Sequence, residues 1–314
     1  MSDEAFPTPP APTIEVCYRH PTVQTRVHCT RCSRPICTDC MIQAPVGFQC
    51  PECVEEARKE FRRGPGRPLR GGVSATKVLL VAIVALYVIE IAKGGPGSLM
   101  QGPDRRTLFD LGAMQPLAIA DGQYWRLFSA IFLHAGLLHI GFNAYALWLF
   151  GRGIEGSLGR TWFVVIYFVS GFLASAASYA FGPVTALAVG ASGAIFGIFG
   201  AFIAYNYRRR HTAIGAANLR SALTLVLLNA LLAIGYRAID WRAHLGGLVA
   251  GLLVGYAADA LGSRRNARLI QVVSVGALIG LGIALTVWRT EQVRAIPGFQ
   301  QCVDSIYACL RLGT

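Results

Sequence analysis

Charged residues are scarce in this sequence: Asp, Glu, Lys and Arg together make up 15% of its 314 residues. A soluble domain carries about 25%. Hydrophobic residues make up 54%, and the mean hydropathy is +0.46. Because the apolar residues form long blocks and not short periodic stripes, the composition excludes an ordinary soluble domain and predicts an all-α polytopic membrane protein.

Negative charge is the scarcer sign, with 17 Asp and Glu against 29 Lys and Arg and a net charge of +12. A basic chain often binds nucleic acid, but here the Arg residues flank the apolar blocks, where lipid headgroups would lie. We therefore expect the lipid bilayer as the partner of this charge, and no nucleic acid. The first fifteen residues are acidic and Pro-rich, so we expect a disordered leader and no cleavable signal peptide.

Seven of the nine cysteines lie close together before the first apolar block. With one histidine they form four pairs at two-residue spacing, enough for two tetrahedral Zn²⁺ sites. A segment this short buries little core, so the metal would supply its folding energy. A disulfide cluster is the alternative, although an odd cysteine count beside a histidine fits metal better, and His28 is a possible substitute ligand. The predicted ligands are Cys17, His20, Cys29, Cys32, Cys37, Cys40, Cys50 and Cys53.

The spacing of these pairs resembles a B-box-type zinc finger. That resemblance implies that alternate pairs share a metal: Cys17, His20, Cys37 and Cys40 at one site, and Cys29, Cys32, Cys50 and Cys53 at the other. The chain departs from the B-box pattern by ending in a cysteine pair where two histidines are common. We expect a recruiting or regulatory role with a cytosolic protein partner, which the sequence does not name.

Seven apolar stretches approach the roughly 20 residues that cross a bilayer. Arg residues cluster in every second connection, which predicts a cytoplasmic N-terminus and an external C-terminus, with the cell membrane as the location. Cys302 and Cys309 would then lie outside and could form a disulfide or stay as two free thiols. The long connection over residues 94–133 is expected to insert partly into the interface. The stretches are about 75–92, 136–152, 161–181, 190–207, 219–236, 242–261 and 268–288.

Four polar residues begin even-numbered stretches, which all run from outside to inside, so they share one depth. His139 and Asn143 lie on one helical face of the second, Ser192 begins the fourth, and His244 begins the sixth. Glycines at helical spacing follow Ser192 and His244 and allow two helices to approach closely. The Ser192 hydroxyl would then reach the His244 imidazole, which could act as a general base for attack on a peptide carbonyl.

These residues lie in motifs that resemble the rhomboid intramembrane serine proteases. Residues 124–127 (YWRL), 132–134 (FLH) and 139–143 (HIGFN) resemble the first loop and second span. Residues 190–193 (GASG) and 244–251 (HLGGLVAG) resemble the nucleophile motif and the last catalytic helix. The resemblance covers about residues 75–261. The pair Gln123-Tyr124 stands where an acidic-aromatic pair is more usual.

The resemblance implies a serine protease that cleaves transmembrane segments of membrane proteins and needs no catalytic cofactor. It implies a Ser192–His244 dyad without a carboxylate, and an oxyanion hole that uses His139 and Asn143. It also implies structural roles for Arg126 and Glu155, and we assign packing roles to glycines of the two motifs. Those glycines are Gly190, Gly193, Gly247 and Gly251.

The predicted organisation is a zinc module followed by a six-helix rhomboid-type core and a seventh C-terminal transmembrane helix. Two other functions stay open: a catalytically silent rhomboid relative that binds transmembrane clients, and a transporter or zinc-regulated channel. An intact Ser192 and His244 speak against the first, and the lack of an internal repeat speaks against the second. The predicted boundaries are leader 1–15, zinc finger 16–56, basic Gly/Pro linker 57–73, core 74–261, seventh helix 262–290 and tail 291–314.

Overall fold

A computed structural model describes residues 15–44, 47–63, 73–235, 239–260 and 266–306. The chain divides into two compact units, Met1–Pro68 and Leu69–Thr314. The predicted leader and most of the predicted linker lie outside the described residues. So does Cys309, and with it the choice between a Cys302–Cys309 disulfide and two free thiols.

The first unit is built from two short antiparallel hairpins and one helix. Its interior consists of six cysteines and Ile36, which is fully buried. Because so few apolar side chains are buried, this core supplies little hydrophobic stabilisation. The strands are β1 (Glu15–Val16) paired with β2 (Gln24–Thr25), and β3 (Ile42–Gln43) paired with β4 (Phe48–Gln49); a 3₁₀ turn spans Thr38–Cys40, and α1 spans Pro51–Arg63.

In its described residues, the second unit is helical. A helix lies at each of the seven predicted apolar stretches, and the connection over residues 94–133 contains four short helices. The helices are α2 (Ala75–Gly94), α3 (Ser98–Gln101), α4 (Arg105–Asp110), α5 (Pro116–Ala120), α6 (Arg126–Ser129), α7 (Leu137–Ala146), α8 (Arg152–Leu158), α9 (Arg160–Phe181), α10 (Ser192–Arg208), α11 (Ala213–Gly235), α12 (Trp241–Ala260), α13 (Ala267–Arg294) and α14 (Phe299–Asp304).

Five helices of the described chain are long and apolar enough to cross a membrane: α2, α9, α11, α12 and α13. A sixth span is formed if Arg126–Phe132 and Leu137–Leu158, which meet at a bend of 91°, are counted together. The second of these segments joins α7 to α8 through a π-helical turn at Leu147–Gly151. Helix α10 has 17 residues and is shorter than the predicted stretch 190–207, because it begins at Ser192.

Among the long helices of the second unit, α9 and α10 are the most buried, and α10 lies against α12 along a line of glycines. A Cβ at Gly247 would overlap the carbonyl oxygen of Gly193, and one at Gly251 would overlap that of Gly197. The backbones are therefore in direct contact, as small residues allow between membrane helices.

We expect Gly251→Ala to lower the stability of the second unit by about 1–3 kcal/mol, because the added methyl group must push α10 and α12 apart. Gly280→Ala on α13 is the matched control, since a Cβ there meets nothing within 4 Å. Thermal unfolding in detergent measures both variants. Equal unfolding temperatures for Gly251→Ala and the native protein would contradict close contact at this point.

Candidate active site

Ser192 and His244 lie at the same end of the bundle, on the two helices that share the glycine contact. Ser192 is the first residue of α10, and His244 lies in the first turn of α12. The Nε2 atom of His244 is 2.9 Å from the Oγ atom of Ser192, a hydrogen-bonding distance. Phe196, one turn after Ser192, stacks on the imidazole with ring centroids 4.2 Å apart and planes at 11°. The imidazole is thus held on one face while its edge meets the hydroxyl.

His139 and Asn143 lie on α7 beside this pair. The backbone N–H of Ala135 donates to His139 Nδ1 at 3.4 Å, which assigns the ring proton to Nε2. The amide nitrogen of Asn143 is buried and has no hydrogen-bond partner among the described residues. A buried donor without a partner is costly, so this amide is available for an oxygen of a ligand or water.

Gly190 lets the segment before α10 pass close to His139 and Ser192. Its φ of +135° is one that residues with side chains rarely adopt. A Cβ here would lie 2.8 Å from His139 Nε2 and 3.6 Å from Ser192 Oγ. The Gly190 N–H donates to the carbonyl of Ala130 at 2.9 Å, which fixes the strand-like segment that enters α10. Since φ leaves the helical range here, the helix starts two residues later than the predicted stretch.

Arg126 is buried at the start of α6 and organises the connection before α7. Its Nη1 donates to the carbonyls of Phe109 at 2.7 Å and Ala113 at 3.0 Å, and its Nε donates to Gln123 Oε1 at 2.8 Å. The guanidinium also lies over the Phe109 ring. Several distant parts of the loop therefore meet at one side chain.

Glu155 on α8 caps the N-terminus of α2. Its carboxylate accepts hydrogen bonds from the hydroxyls of Ser74 and Thr76, each at 2.7 Å, and from the N–H groups of Ala75 at 2.7 Å and Thr76 at 3.0 Å. These four bonds satisfy a buried carboxylate and free backbone donors at the same time. Glu155 thereby ties the first span to the second.

Three residues near the site were not predicted from the sequence: Glu90, Phe196 and Asp240. Glu90 on α2 is fully buried and accepts from the N–H of His134 at 2.9 Å, while the His134 ring meets the His139 ring edge-on at 5.2 Å. Asp240 precedes α12, and Phe196 covers His244. An acid within an apolar block is a signal that could have identified Glu90; nothing in the local pattern distinguishes Phe196 from other apolar residues of α10.

The eight predicted metal ligands fall into two groups, each with its donor atoms within 4.8 Å of one another. His20 Nδ1 lies 3.2 Å from Cys37 Sγ and 3.5 Å from Cys40 Sγ, and Cys32 Sγ lies 3.7 Å from Cys50 Sγ. Bonds of about 2.3 Å to a tetrahedral Zn²⁺ place neighbouring sulfurs about 3.8 Å apart, so both groups could hold the ion. The groups are Cys17, His20, Cys37 and Cys40, and Cys29, Cys32, Cys50 and Cys53, the pairing that the B-box resemblance implies.

The thiol acidities in these groups also suit a cation. Burial acts to raise the pKa of Cys17 and Cys29, but backbone N–H groups outweigh it and lower each pKa to about 6. Burial raises the pKa of Cys40 and Cys53 to about 12. Since the thiolate is the form that binds metal, a bound cation would be needed to ionise Cys40 and Cys53 near neutral pH. His28, the suggested substitute ligand, instead contacts Glu15 Oε2 at 3.0 Å.

Comparison with known proteins identifies what this arrangement is similar to. Residues 121–259 match the family model of the rhomboid domain. The rhomboid protease GluP of Bacillus subtilis (strain 168) is 32% identical over 209 residues, or 65% of this chain and 38% of that protein. The putative rhomboid protease YdcA of the same organism is 36% identical over 140 residues, or 45% of this chain and 70% of that protein. RHOMBOID-like protein 1 of Arabidopsis thaliana is 35% identical over 158 residues, 49% of this chain and 40% of that protein.

We expect Glu155→Ala to lower the free energy of unfolding by about 2–4 kcal/mol, because it leaves the capped end of α2 without its acceptor. The exposed Glu291→Ala on α13 removes the same charge and should stay within about 0.5 kcal/mol of the native protein. Unfolding in detergent, followed by circular dichroism, compares the two. Similar losses in both variants would argue against the cap.

Proposed function

The chain belongs to the rhomboid family, and from that premise we propose that it is an intramembrane serine endopeptidase that cleaves transmembrane segments of membrane proteins. The observation that carries the proposal is the contact of 2.9 Å between His244 Nε2 and Ser192 Oγ. A serine and a histidine at this distance are what an activated nucleophile and its base require. Nucleophilic attack by such a pair needs no cofactor.

In the proposed reaction His244 takes the hydroxyl proton as Ser192 Oγ attacks the carbonyl carbon of the scissile peptide bond. The oxyanion is stabilised by the Nε2–H of His139 and the side-chain amide of Asn143, whose buried nitrogen has no other partner among the described residues. His244 then gives the proton to the leaving amine. A water, activated by the same imidazole, hydrolyses the acyl-enzyme and frees Ser192.

The remaining site residues act by position. Gly193, Gly247 and Gly251 let α10 and α12 approach, and Gly190 makes room for the His139 ring. Arg126 binds backbone carbonyls of the loop before α7, and Glu155 links α8 to the start of α2. We therefore propose structural roles for these six residues, none of which exchanges a proton with the substrate.

The chain is an integral multi-pass membrane protein, and we propose that it lies in the cell membrane with a cytoplasmic N-terminus and an external C-terminus. The Arg clusters beside alternate ends of the spans support this orientation. It places Ser192 and His244 in the outer part of the bilayer. It also places the cysteine-rich module in the reducing cytosol, where cysteine thiols are not oxidised to disulfides.

The two cysteine-rich groups could bind metal ions, and we propose that each holds one structural Zn²⁺. The Zn²⁺ would supply folding energy that the small core of this unit does not. Arg34 donates to Cys32 Sγ at 3.3 Å and Cys50 Sγ at 3.6 Å, which would offset the negative charge of a four-cysteine site. We further propose that this module recruits membrane-protein substrates or a cytosolic partner.

We expect the native chain in proteoliposomes to cleave a transmembrane reporter, and Ser192→Ala and His244→Ala each to lower kcat by at least about 1,000-fold, because the dyad acts as a unit. Ser175→Ala is the control, since this serine is buried in α9 and is no part of the site. Cleavage products are quantified by gel and mass spectrometry. A folded native chain that cleaves none of several reporters, and that a fluorophosphonate probe leaves unlabelled at Ser192, would favour a silent client-binding relative.

We expect metal analysis of the purified full chain to find about two zinc ions per molecule, since each structural site holds one ion. Cys50→Ser should reduce the content to about one by disabling one group, whereas Cys302→Ser, outside both groups, should leave it at two. A native protein without zinc after purification in zinc-containing buffer would contradict the proposed sites.

A further inference from the structure

A single carboxylate, that of Asp240, ties the beginning of α12 to α9. Its Oδ1 accepts from the backbone N–H groups of Arg242 at 3.1 Å and Ala243 at 3.2 Å, and so caps the helix. Its Oδ2 accepts from the hydroxyl of Ser178, a buried residue of α9. One side chain therefore accepts two N–H groups at the start of α12 and also binds the neighbouring helix α9.

This Asp240 anchor lies one helical turn before His244 and directly precedes the turn of α12 that carries the imidazole. The His244 N–H donates to the carbonyl of Asp240 at 3.1 Å, closing the first turn of α12. Two residues later, a Cβ at Gly246 would lie 2.8 Å from Ala177 Cβ and 3.1 Å from the carbonyl oxygen of Leu173. This turn of α12 thus packs directly against α9. The position of the His244 imidazole is therefore closely tied to that of the Asp240 carboxylate.

The last helix described before Asp240 is little buried. Helix α11, which precedes it, is almost entirely exposed along its apolar length, and α12 itself is less buried than α9. A Cβ at Gly193 of α10 would lie 3.6 Å from the carbonyl oxygen of Ala243, an ordinary contact. The tightest glycine contacts between α10 and α12 lie at Gly247 and Gly251, on the far side of His244 from Asp240. The anchor and the glycine contacts therefore hold His244 from opposite sides in the chain.

We propose that Asp240 is a positioning residue for His244, acting through its cap on α12 and its hydrogen bond from Ser178. The inference rests on the proposed Ser192–His244 dyad. It assigns no proton transfer to the carboxylate: Asp240 fixes where the imidazole stands relative to Ser192 Oγ. A displacement of about 1 Å between reacting groups costs on the order of 100-fold in rate.

The experiment compares four variants in proteoliposomes, with kcat and KM for a transmembrane reporter and the unfolding temperature measured on the same preparations. Asp240→Ala removes the cap and the tie to α9. Asp240→Asn keeps one oxygen that can accept from the N–H groups of Arg242 and Ala243, and its amide nitrogen can donate to the Ser178 hydroxyl oxygen, so both links are retained. Ser178→Ala breaks only the tie to α9. The matched control is Asp259→Ala at the opposite end of α12, where the carboxylate pairs with Arg208 and Arg209, each at 2.9 Å.

We expect Asp240→Ala to lower kcat by about 10- to 100-fold with KM within about threefold, because substrate binding is unaffected while the reacting groups are misaligned. Asp240→Asn should recover kcat to within about threefold of the native value, and Ser178→Ala should fall between the two. Asp259→Ala should lower the unfolding temperature without lowering kcat. Loss of kcat in Asp259→Ala equal to that in Asp240→Ala, or no recovery in Asp240→Asn, would overturn the proposal.

A second readout separates this inference from the proposed protease function. In ¹⁵N-histidine NMR spectra, the His244 Nε2 resonance of an otherwise native chain should shift when Ser192 is replaced by Ala, because the hydrogen bond between them is lost. The same replacement in the Asp240→Ala background should produce little shift. If the native chain neither cleaves a reporter nor reacts with a fluorophosphonate, the protease proposal fails, and these spectra alone decide the positioning role. An equal shift in both backgrounds overturns that role.

Discussion

The contact between the backbones of α10 and α12 is the constraint on which the rest of this structure depends. The hydrogen bond of 2.9 Å between Ser192 and His244 joins side chains of two helices whose backbones are in direct contact a turn further on. Between membrane helices the hydrophobic effect contributes little, so close packing and polar contacts must hold the pair. That packing is provided by four glycines, Gly193, Gly197, Gly247 and Gly251. It brings the helix ends that carry Ser192 and His244 together.

Close packing also determines how the neighbouring elements enter the site. With α12 against one side of α10, α9 covers another, and the remaining approach to Ser192 is left to α7 and the segment before α10. That segment can pass the His139 ring only where a residue without a side chain adopts a φ of +135°, which Gly190 does. The bend of 91° ahead of α7 lets the preceding loop run beside the bundle, where Arg126 collects the carbonyls of Phe109 and Ala113.

The sequence predicted those parts of the molecule that rest on periodic or paired patterns. An apolar block, a glycine every four residues and a cysteine pair are local signals, and they identified the helical bundle, the residues that meet in the site and the two groups of metal donors. The start of α10 at Ser192 follows from the contacts of Gly190 with Ala130 and His139, which lie far away in the chain. Such contacts leave no periodic trace in the chain, so the pattern could predict the helices but not their ends.

The few acidic residues of the second unit show how a membrane protein can keep carboxylates at low cost. Glu155 accepts N–H groups at the start of α2, Asp240 at the start of α12 and Asp104 at the start of α4. Each helix N-terminus has unpaired N–H donors and the positive end of the helix dipole, which stabilise a carboxylate placed there. Glu155 also lies 4.0 Å from Arg160. In return the carboxylate fixes a helix end to its neighbours. The proposed dyad has no third catalytic side chain, and the His244 imidazole stacks on Phe196 and is carried by the first turn of α12. On the proposed function, the anchoring of that helix end is therefore part of the chemistry.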